Sequence, residues 1–183
     1  MFIAHKLKKG NICEYLLYMW QIEDLIRAFK LDIDAINMQI IAPYPATDAE
    51  RKSLYEWYES LIEMMRHENI QQNGHLQLNN NILSELNEFH TLMLKSGNEA
   101  GYNAKFYHIV PLITQLRNQQ LNSPISDIEI CFNFQYAIML LRMKKTEITP
   151  ETLQAQSEIS KFMVLLNKYF QLHKTGEFSF DED

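Results

Sequence analysis

Apolar residues recur every three or four positions along most of this chain, and this spacing constrains the fold more than any other feature. The stretch with Leu54, Trp57, Tyr58, Leu61 and Met65 is typical, because these steps place the apolar side chains on one face of a helix. No stretch alternates between apolar and polar residues for long enough to predict a sheet. Only five glycines and five prolines interrupt the 183 residues, which favours long helices. The sequence therefore predicts an all-α fold.

Signals for helix starts and ends divide the chain into about six to seven helices. Thr47 and Glu50 have the spacing of a capping box, and Pro150 follows Thr149 at a first helical position. Asparagine, aspartate or serine stands at three other starts. The predicted helices run over residues 11–29 and 33–41, from 47 to the turn at Asn73-Gly74, from that turn to 96, and over 98–119, 126–145 and 149–176.

The length of 183 residues suits one domain with a substantial apolar core. After Gly176, the sequence EFSFDED has too little apolar area to offset the entropy that is lost when its backbone becomes ordered. We therefore expect a single-domain helical bundle over residues 1–176, followed by a loose acidic tail at residues 177–183.

Charge and cysteine content limit the classes of binding partner and the cellular compartment that the sequence predicts. The formal net charge is −6 and the pI is about 5.5, whereas proteins that bind a nucleic-acid backbone present a basic face. No apolar run approaches the roughly 18 residues that a membrane span needs. Cys13 and Cys131 lie in apolar stretches and form no disulfide framework, which suits a reducing compartment. We expect a cytoplasmic protein that binds neither nucleic acid nor membrane.

Four segments of the chain carry a resemblance to a known family. They read NICEYLLYMWQIEDLIR, GHLQLNNNILSELNEFH, IEICFNFQYAIMLLRMKK and ITPET. Together they resemble an uncharacterised all-helical domain family of unknown function, found mainly in Bacteroidales bacteria. The resemblance extends over nearly the whole chain and implies a single α-helical domain. It implies no activity, cofactor or partner, and it supplies no functional residues.

The sequence lacks the motifs that would indicate catalysis or cofactor binding. A carboxylate-bridged metal bundle needs Glu-x-x-His repeats, and none is present. HExxH, GxxxxGK[ST], GxGxxG and GxSxG are also absent. We therefore predict no catalytic residue, no metal ligand and no cofactor.

The helix predicted over residues 11–29 is strongly apolar, yet it contains charged residues. At about 100° per residue, Glu23 and Arg27 fall within its apolar arc rather than on its more polar side. One interpretation is a buried ion pair, because Glu23 precedes Arg27 by one turn in the favourable order. A second is the polar floor of a ligand pocket, with Trp20 as an apolar wall. A third is that the arc is partly exposed and the charges meet water.

His90, Tyr107 and His108 are further candidates for ligand binding. His90 falls on the apolar arc of its helix, where a histidine is either a core residue bonded to a carbonyl or a carboxylate, or a ligand contact or proton shuttle. Pro111 frees the carbonyl of Tyr107 and bends its helix. The bend either opens space at Tyr107 and His108 or is a surface kink without function.

These observations leave two hypotheses for function. Since every catalytic signature is missing, the sequence favours a non-enzymatic helical module that forms a homo-oligomer or binds another protein through an exposed apolar patch. The alternative is a small-molecule-binding or enzymatic bundle with a central pocket at Glu23, Arg27 and His90. A solvent-connected cavity that reaches the two charges would favour the pocket, and a dry core with a broad apolar patch would favour the module.

Overall fold

The structure is a computed structural model that describes residues 1–119 and 125–180. These residues form eight α-helices and one short π-helix, and they contain no strand. The chain is therefore an all-α domain, as predicted, with slightly more helices than expected. The α-helices are α1 (Phe2–Gly10), α2 (Ile12–Ala28), α3 (Ile33–Ile36), α4 (Asp48–His67), α5 (Gln77–Ser96), α6 (Ala100–Gln119), α7 (Asp127–Met143) and α8 (Pro150–Thr175), and the π-helix is Asn37–Ile41.

Side chains cap helix starts at the positions that the sequence predicts. The Asn11 side chain accepts from the backbone N–H of Glu14 at 3.1 Å, and Thr47 forms the reciprocal bonds of a capping box with Glu50. Such caps satisfy backbone donors that a helix start leaves unpaired, and each stabilises by about 1 kcal/mol. The other predicted caps that are present are Asp32, Ser126 and Thr149.

The helix that the sequence did not predict is α1. It is separated from α2 by Asn11, whose backbone is extended at φ −151° and ψ 91°. Ala4 is the residue that α1 buries. A helix of nine residues makes fewer than three turns, so its apolar spacing is a short signal in the sequence.

The helix predicted over residues 33–41 is present, but its hydrogen bonding changes halfway. α3 ends at Ile36, and the backbone N–H of Ala42 then bonds to the carbonyl of Asn37, five residues back, at 2.8 Å. This π-type turn leaves Met38 74% exposed while Ile41 is buried. Single π-turns of this kind are frequent at functional sites.

Contacts group the residues into two compact units, Met1–Ile82 and Leu83–Asp183. In the first unit, α1 packs on α2, and α4 packs on α3 and the π-helix. In the second unit, α6, α7 and α8 pack against one another. Side chains that are almost wholly buried include Leu16, Trp20, Ile26 and Met65 in the first unit, and Tyr102, Phe132, Phe162 and Leu166 in the second.

Pro111 lies inside α6, which continues as one helix on both sides of it. Its ring is exposed, so the missing N–H and the freed carbonyl of Tyr107 lie on the outer side of the helix. Proline there removes one helical hydrogen bond without interrupting α6.

The first residues of the predicted tail contact the second unit. The Phe178 ring lies 5.6 Å from that of Tyr169, and the Phe180 ring lies 5.5 Å from Phe89 and 5.0 Å from His173. Both tail rings are partly buried. These contacts favour a docked start of the tail, whereas the sequence predicts a loose one. The remaining three tail residues lie outside the described part of the chain.

Removal of residues 177–183 distinguishes the loose tail from the docked one. Aromatic pairs contribute about 0.5–1.5 kcal/mol each beyond their buried area, so we expect the free energy of unfolding to fall by about 1–2 kcal/mol in chemical denaturation. A chain that ends after Phe180 keeps both rings and should be as stable as the full chain. A loss below about 0.5 kcal/mol for the full truncation would support the loose tail instead.

Candidate functional site

The carboxylate of Glu23 is fully buried, at 0% exposure, and it binds donors at the start of α5. Its Oε1 accepts from the backbone N–H of Leu76 at 2.9 Å and from Asn79 Nδ2 at 2.6 Å, and its Oε2 lies 2.6 Å from His75 Nδ1. An ionised carboxylate only accepts hydrogen bonds, so three donors match it. Its negative charge also lies where the α5 dipole is positive. Glu23 therefore acts as a tertiary cap for α5.

His75 connects Glu23 to Trp20. The imidazole stacks on the Trp20 indole with ring centroids 4.1 Å apart and an interplanar angle of 13°. The His75 side chain remains 30% exposed, whereas Glu23 is shielded from water. The hydrogen bond from one ring nitrogen to a carboxylate fixes the tautomer of an imidazole. Stacking on an aromatic ring fixes the orientation of its plane.

Arg27 holds the loop between α4 and α5, residues 68–76, through its backbone carbonyls. Its Nε and one terminal nitrogen lie 3.4 and 3.3 Å from the carbonyl oxygen of Ile70, and the same terminal nitrogen donates to the carbonyl of Gly74. The other terminal nitrogen forms an ion pair with Asp24 at 2.8 Å. The Arg27 side chain is only 14% exposed. These bonds hold the Arg27 side chain in one position and at the same time connect the 68–76 loop to α2.

The interpretation of Glu23 and Arg27 as a mutual ion pair is wrong. Glu23 binds donors at the end of the 68–76 loop and the start of α5, and Arg27 binds Asp24 and loop carbonyls. Two residues one turn apart on α2 therefore bind the same loop. The Glu23 carboxylate accepts from the backbone N–H of Leu76, and the Arg27 guanidinium donates to the backbone carbonyls of Ile70 and Gly74. This arrangement explains why an apolar helix carries both charges. Of the predicted site residues, the structure brings Trp20 and Glu23 together through His75.

The structure adds residues to this site that sequence analysis missed. His75 and Asn79 are hydrogen-bond partners of Glu23, and the sequence analysis predicted neither as a site residue. The available signal was the Asn73-Gly74 turn, since it places the next residues at the start of a helix where a carboxylate is favoured. Nothing local to His75 indicates that the carboxylate comes from α2.

An apolar hollow of about 60 Å³ lies elsewhere on the first unit. Three large apolar residues of its lining protrude into solvent: Ile3 at 47% exposure, and Phe2 and Tyr44 at 38% each. We call the exposed Phe2, Ile3 and Tyr44 the apolar face. The hollow is lined by Met1, Phe2, Ile3, Tyr18, Ile40, Ile41, Tyr44, Leu54 and Tyr58.

His90 in the second unit is buried, 4% exposed, and it also lines a groove of about 500 Å³ together with Arg117 and Asp127. Its Nδ1 lies 2.7 Å from the hydroxyl of Tyr102, so its partner is a phenol rather than the expected carbonyl or carboxylate. Aromatic rings surround the imidazole, with Phe106 and Phe162 at 4.4 and 5.7 Å. Burial lowers the pKa of His90 to about 4, against the weaker opposing effect of Asp127. The imidazole is therefore neutral at pH 7.

Tyr107 and His108 lie on the outside of α6. Tyr107 is 61% exposed, and the His108 side chain is 63% exposed with its Nε2 3.3 Å from Glu158. Glu158 also binds Lys105 at 2.7 Å and Lys161 at 2.5 Å, and these bonds lower the pKa of its carboxyl to about 2. His108 thus joins a cluster of surface ion pairs. A ligand site at Tyr107 and His108 stays a prediction.

No group of three or more His, Cys, Asp or Glu side chains among residues 1–119 and 125–180 is placed to hold a metal ion. In the same described part of the chain, no helix combines the length and the apolar character that a membrane crossing requires.

Comparison with known proteins gives a family. Neither the curated proteins nor the solved structures provide a match. A family model does match, over residues 1–177, which is nearly the whole chain. The chain therefore belongs to the family described as a domain of unknown function, DUF4924.

Proposed function

We propose that this protein is a non-enzymatic helical module that self-associates through the apolar face of its first unit. The observation that carries the proposal is the combination of a hollow with protruding apolar side chains on one surface. Interface energy concentrates where an apolar anchor fills a pocket and excludes water. A hollow of about 60 Å³ has room for part of one apolar side chain.

A second copy of the chain is the partner that fits this surface. In a two-fold symmetric dimer, the same patch lies on both sides of the interface, so the patch must supply both the anchor and its pocket. Phe2 and Ile3 protrude from the lining of the hollow, and the buried Ile41 and Tyr58 line it as well. A single face thus presents both halves of a self-complementary contact.

Sedimentation of the wild type and of charged variants tests self-association. We expect the wild type to be at least a dimer at micromolar concentration and Ile3→Glu or Phe2→Glu to shift it to monomer, since each places a charge in a desolvated contact. Val164→Glu is the control, because Val164 is an exposed apolar residue of the second unit, at 65%.

Two outcomes would contradict this assignment. A wild type that sediments as a clean monomer at every concentration would exclude self-association and leave a different protein as the partner. An equal loss of association in Val164→Glu would place the interface on another surface.

We also propose a cytoplasmic setting in a bacterial cell. Cys13 and Cys131 are buried thiols that form no disulfide, which suits a reducing compartment. Burial, reinforced by Glu14, raises the pKa of the Cys13 thiol to about 12, so a role for it as a nucleophile is not supported. The bacterial origin rests on the family resemblance alone.

A further inference from the structure

A groove of about 720 Å³ opens on the first unit beside Arg27. Its lining consists of Arg27, Lys30, Leu31, Arg66 and two adjacent glutamines, Gln71 and Gln72. Its volume lies within the range of about 300–1,000 Å³ that is common for small-molecule sites. Three of these residues are cations, two carry amides and none is a carboxylate, although the chain as a whole has a net charge of −6.

The two arginines are held in place before any ligand arrives. Arg27 is fixed by Asp24 and by the carbonyls of the 68–76 loop, as described above. Arg66 donates to the carbonyl of Leu31 at 3.3 Å and to Glu63 at 2.7 Å. These two bonds leave Arg66 with further N–H groups, because a guanidinium has five donors in a rigid fork. Preorganised donors bind an anion without an added entropy cost for ordering them.

Lys30 adds a second exposed charge to the groove beside that of Arg66, and it does so from a strained turn. Lys30 and Leu31 have φ values of 55° and 60°, so two consecutive residues other than glycine are left-handed. Asn69, two residues before Gln71 in the chain, is also left-handed at φ 58°. Each such residue costs free energy, and strain of this kind persists chiefly where the surrounding structure or a function requires it. The turn is held by bonds from Lys30 N–H to Arg27 and from Leu31 N–H to Ile26.

We propose that this groove binds a small multivalent oxyanion, either an organic phosphate or a polycarboxylate. The remaining N–H groups of Arg66 can donate to the oxygens of either ligand, and the ammonium of Lys30 adds a mobile point charge. The amides of Gln71 and Gln72 can donate to a polar part of the same ligand. Asp24 and Glu63 each neutralise part of one guanidinium, so the charge that decides affinity is that of Lys30.

Calorimetric titration of the full chain with pyrophosphate and with citrate, at constant ionic strength, tests the proposal and separates the two ligand classes. We expect saturable binding of at least one of them. Lys30→Gln should weaken it about fivefold, the effect of losing roughly 1 kcal/mol of an exposed charge interaction. Lys30→Glu should weaken it further. Glutamine keeps the left-handed backbone cost of lysine, so a change in affinity reports the charge rather than the fold.

Lys52→Gln provides the matched control. Lys52 is an exposed lysine of α4 in the same unit, and it lies outside the groove lining. Its removal should leave the affinity unchanged. Equal losses of affinity in Lys30→Gln and Lys52→Gln would mean that binding depends on the net charge of the chain and not on the groove, which would contradict the proposal. The absence of saturable binding of either anion up to millimolar concentration would also overturn it.

Discussion

Replacing Glu23 with methionine is expected to lower the free energy of unfolding by about 3–5 kcal/mol. The substitution removes the shared acceptor of Leu76 N–H, Asn79 and His75 and leaves all three donors without it. A buried donor that loses its acceptor costs about 1–3 kcal/mol. Methionine fills similar space, so the loss reports hydrogen bonding rather than a cavity.

Glu23→Gln should cost less, about 1–2 kcal/mol. The amide oxygen can still accept from Leu76 N–H and Asn79, and its NH₂ can donate to His75 if the imidazole changes tautomer. Glu14→Gln controls for loss of a carboxylate from α2, because Glu14 is exposed. Urea denaturation of the variants provides the measurement. Equal losses for methionine and glutamine would mean that charge, rather than the number of acceptors, holds the loop.

The double variant Glu23→Met, Arg27→Met distinguishes the loop contacts from a mutual ion pair. A mutual pair predicts that the double variant recovers much of the loss, because no buried charge is left alone. Separate partners predict no recovery, so the double variant should be at least as unstable as Glu23→Met. Losses that fall short of additive would indicate that both residues act on the same 68–76 loop. Recovery of stability would contradict the contacts described for α2.

The sequence predicts the helices well because their starts are encoded locally. Asn11, Thr47 and Thr149 each accept from a backbone N–H three residues later, so a short window contains both partners. α1 was missed because its nine residues make fewer than three turns, so its apolar spacing is repeated too few times to stand out. The change to π-type bonding after Ile36 was missed because it alters the hydrogen-bond pattern without altering apolar spacing.

The site was predicted less completely because its partners are distant in the chain. Helical angles correctly placed Glu23 on a buried arc, since that depends only on positions within α2. Its donors come from residues 75–79, more than 50 positions away, and no local pattern links them. The i, i+4 spacing of Glu23 and Arg27 suggested a pair, but Glu23 binds donors outside the helix, and Arg27 binds Asp24 on the same helix and two carbonyls of the 68–76 loop. A buried charge can thus be located from sequence, while its counter-group needs the fold.

Acid is expected to destabilise the protein through His90. At pH values above about 6.5 the imidazole is neutral in the folded and the unfolded chain, and it contributes no pH dependence. Below that pH, His90 becomes protonated in the unfolded chain. In the folded chain it stays neutral down to its lowered pKa of about 4. The free energy of unfolding therefore falls as the pH falls between about 6.5 and 4. The shift corresponds to a loss of about 3 kcal/mol at pH 4.

His90→Asn isolates this contribution, because the amide can still bond to Tyr102 but does not titrate. The variant should be less stable than the wild type at pH 7, since asparagine fills less of the space among Phe106 and Phe162. Its deficit should shrink as the pH is lowered to 4.5. Denaturant unfolding at half-unit pH steps measures the two curves, with the exposed His5→Asn as the control for loss of a histidine. Parallel curves for the wild type and His90→Asn would mean that His90 accepts its proton in the folded protein, at the cost of reorienting Tyr102 or admitting water beside it.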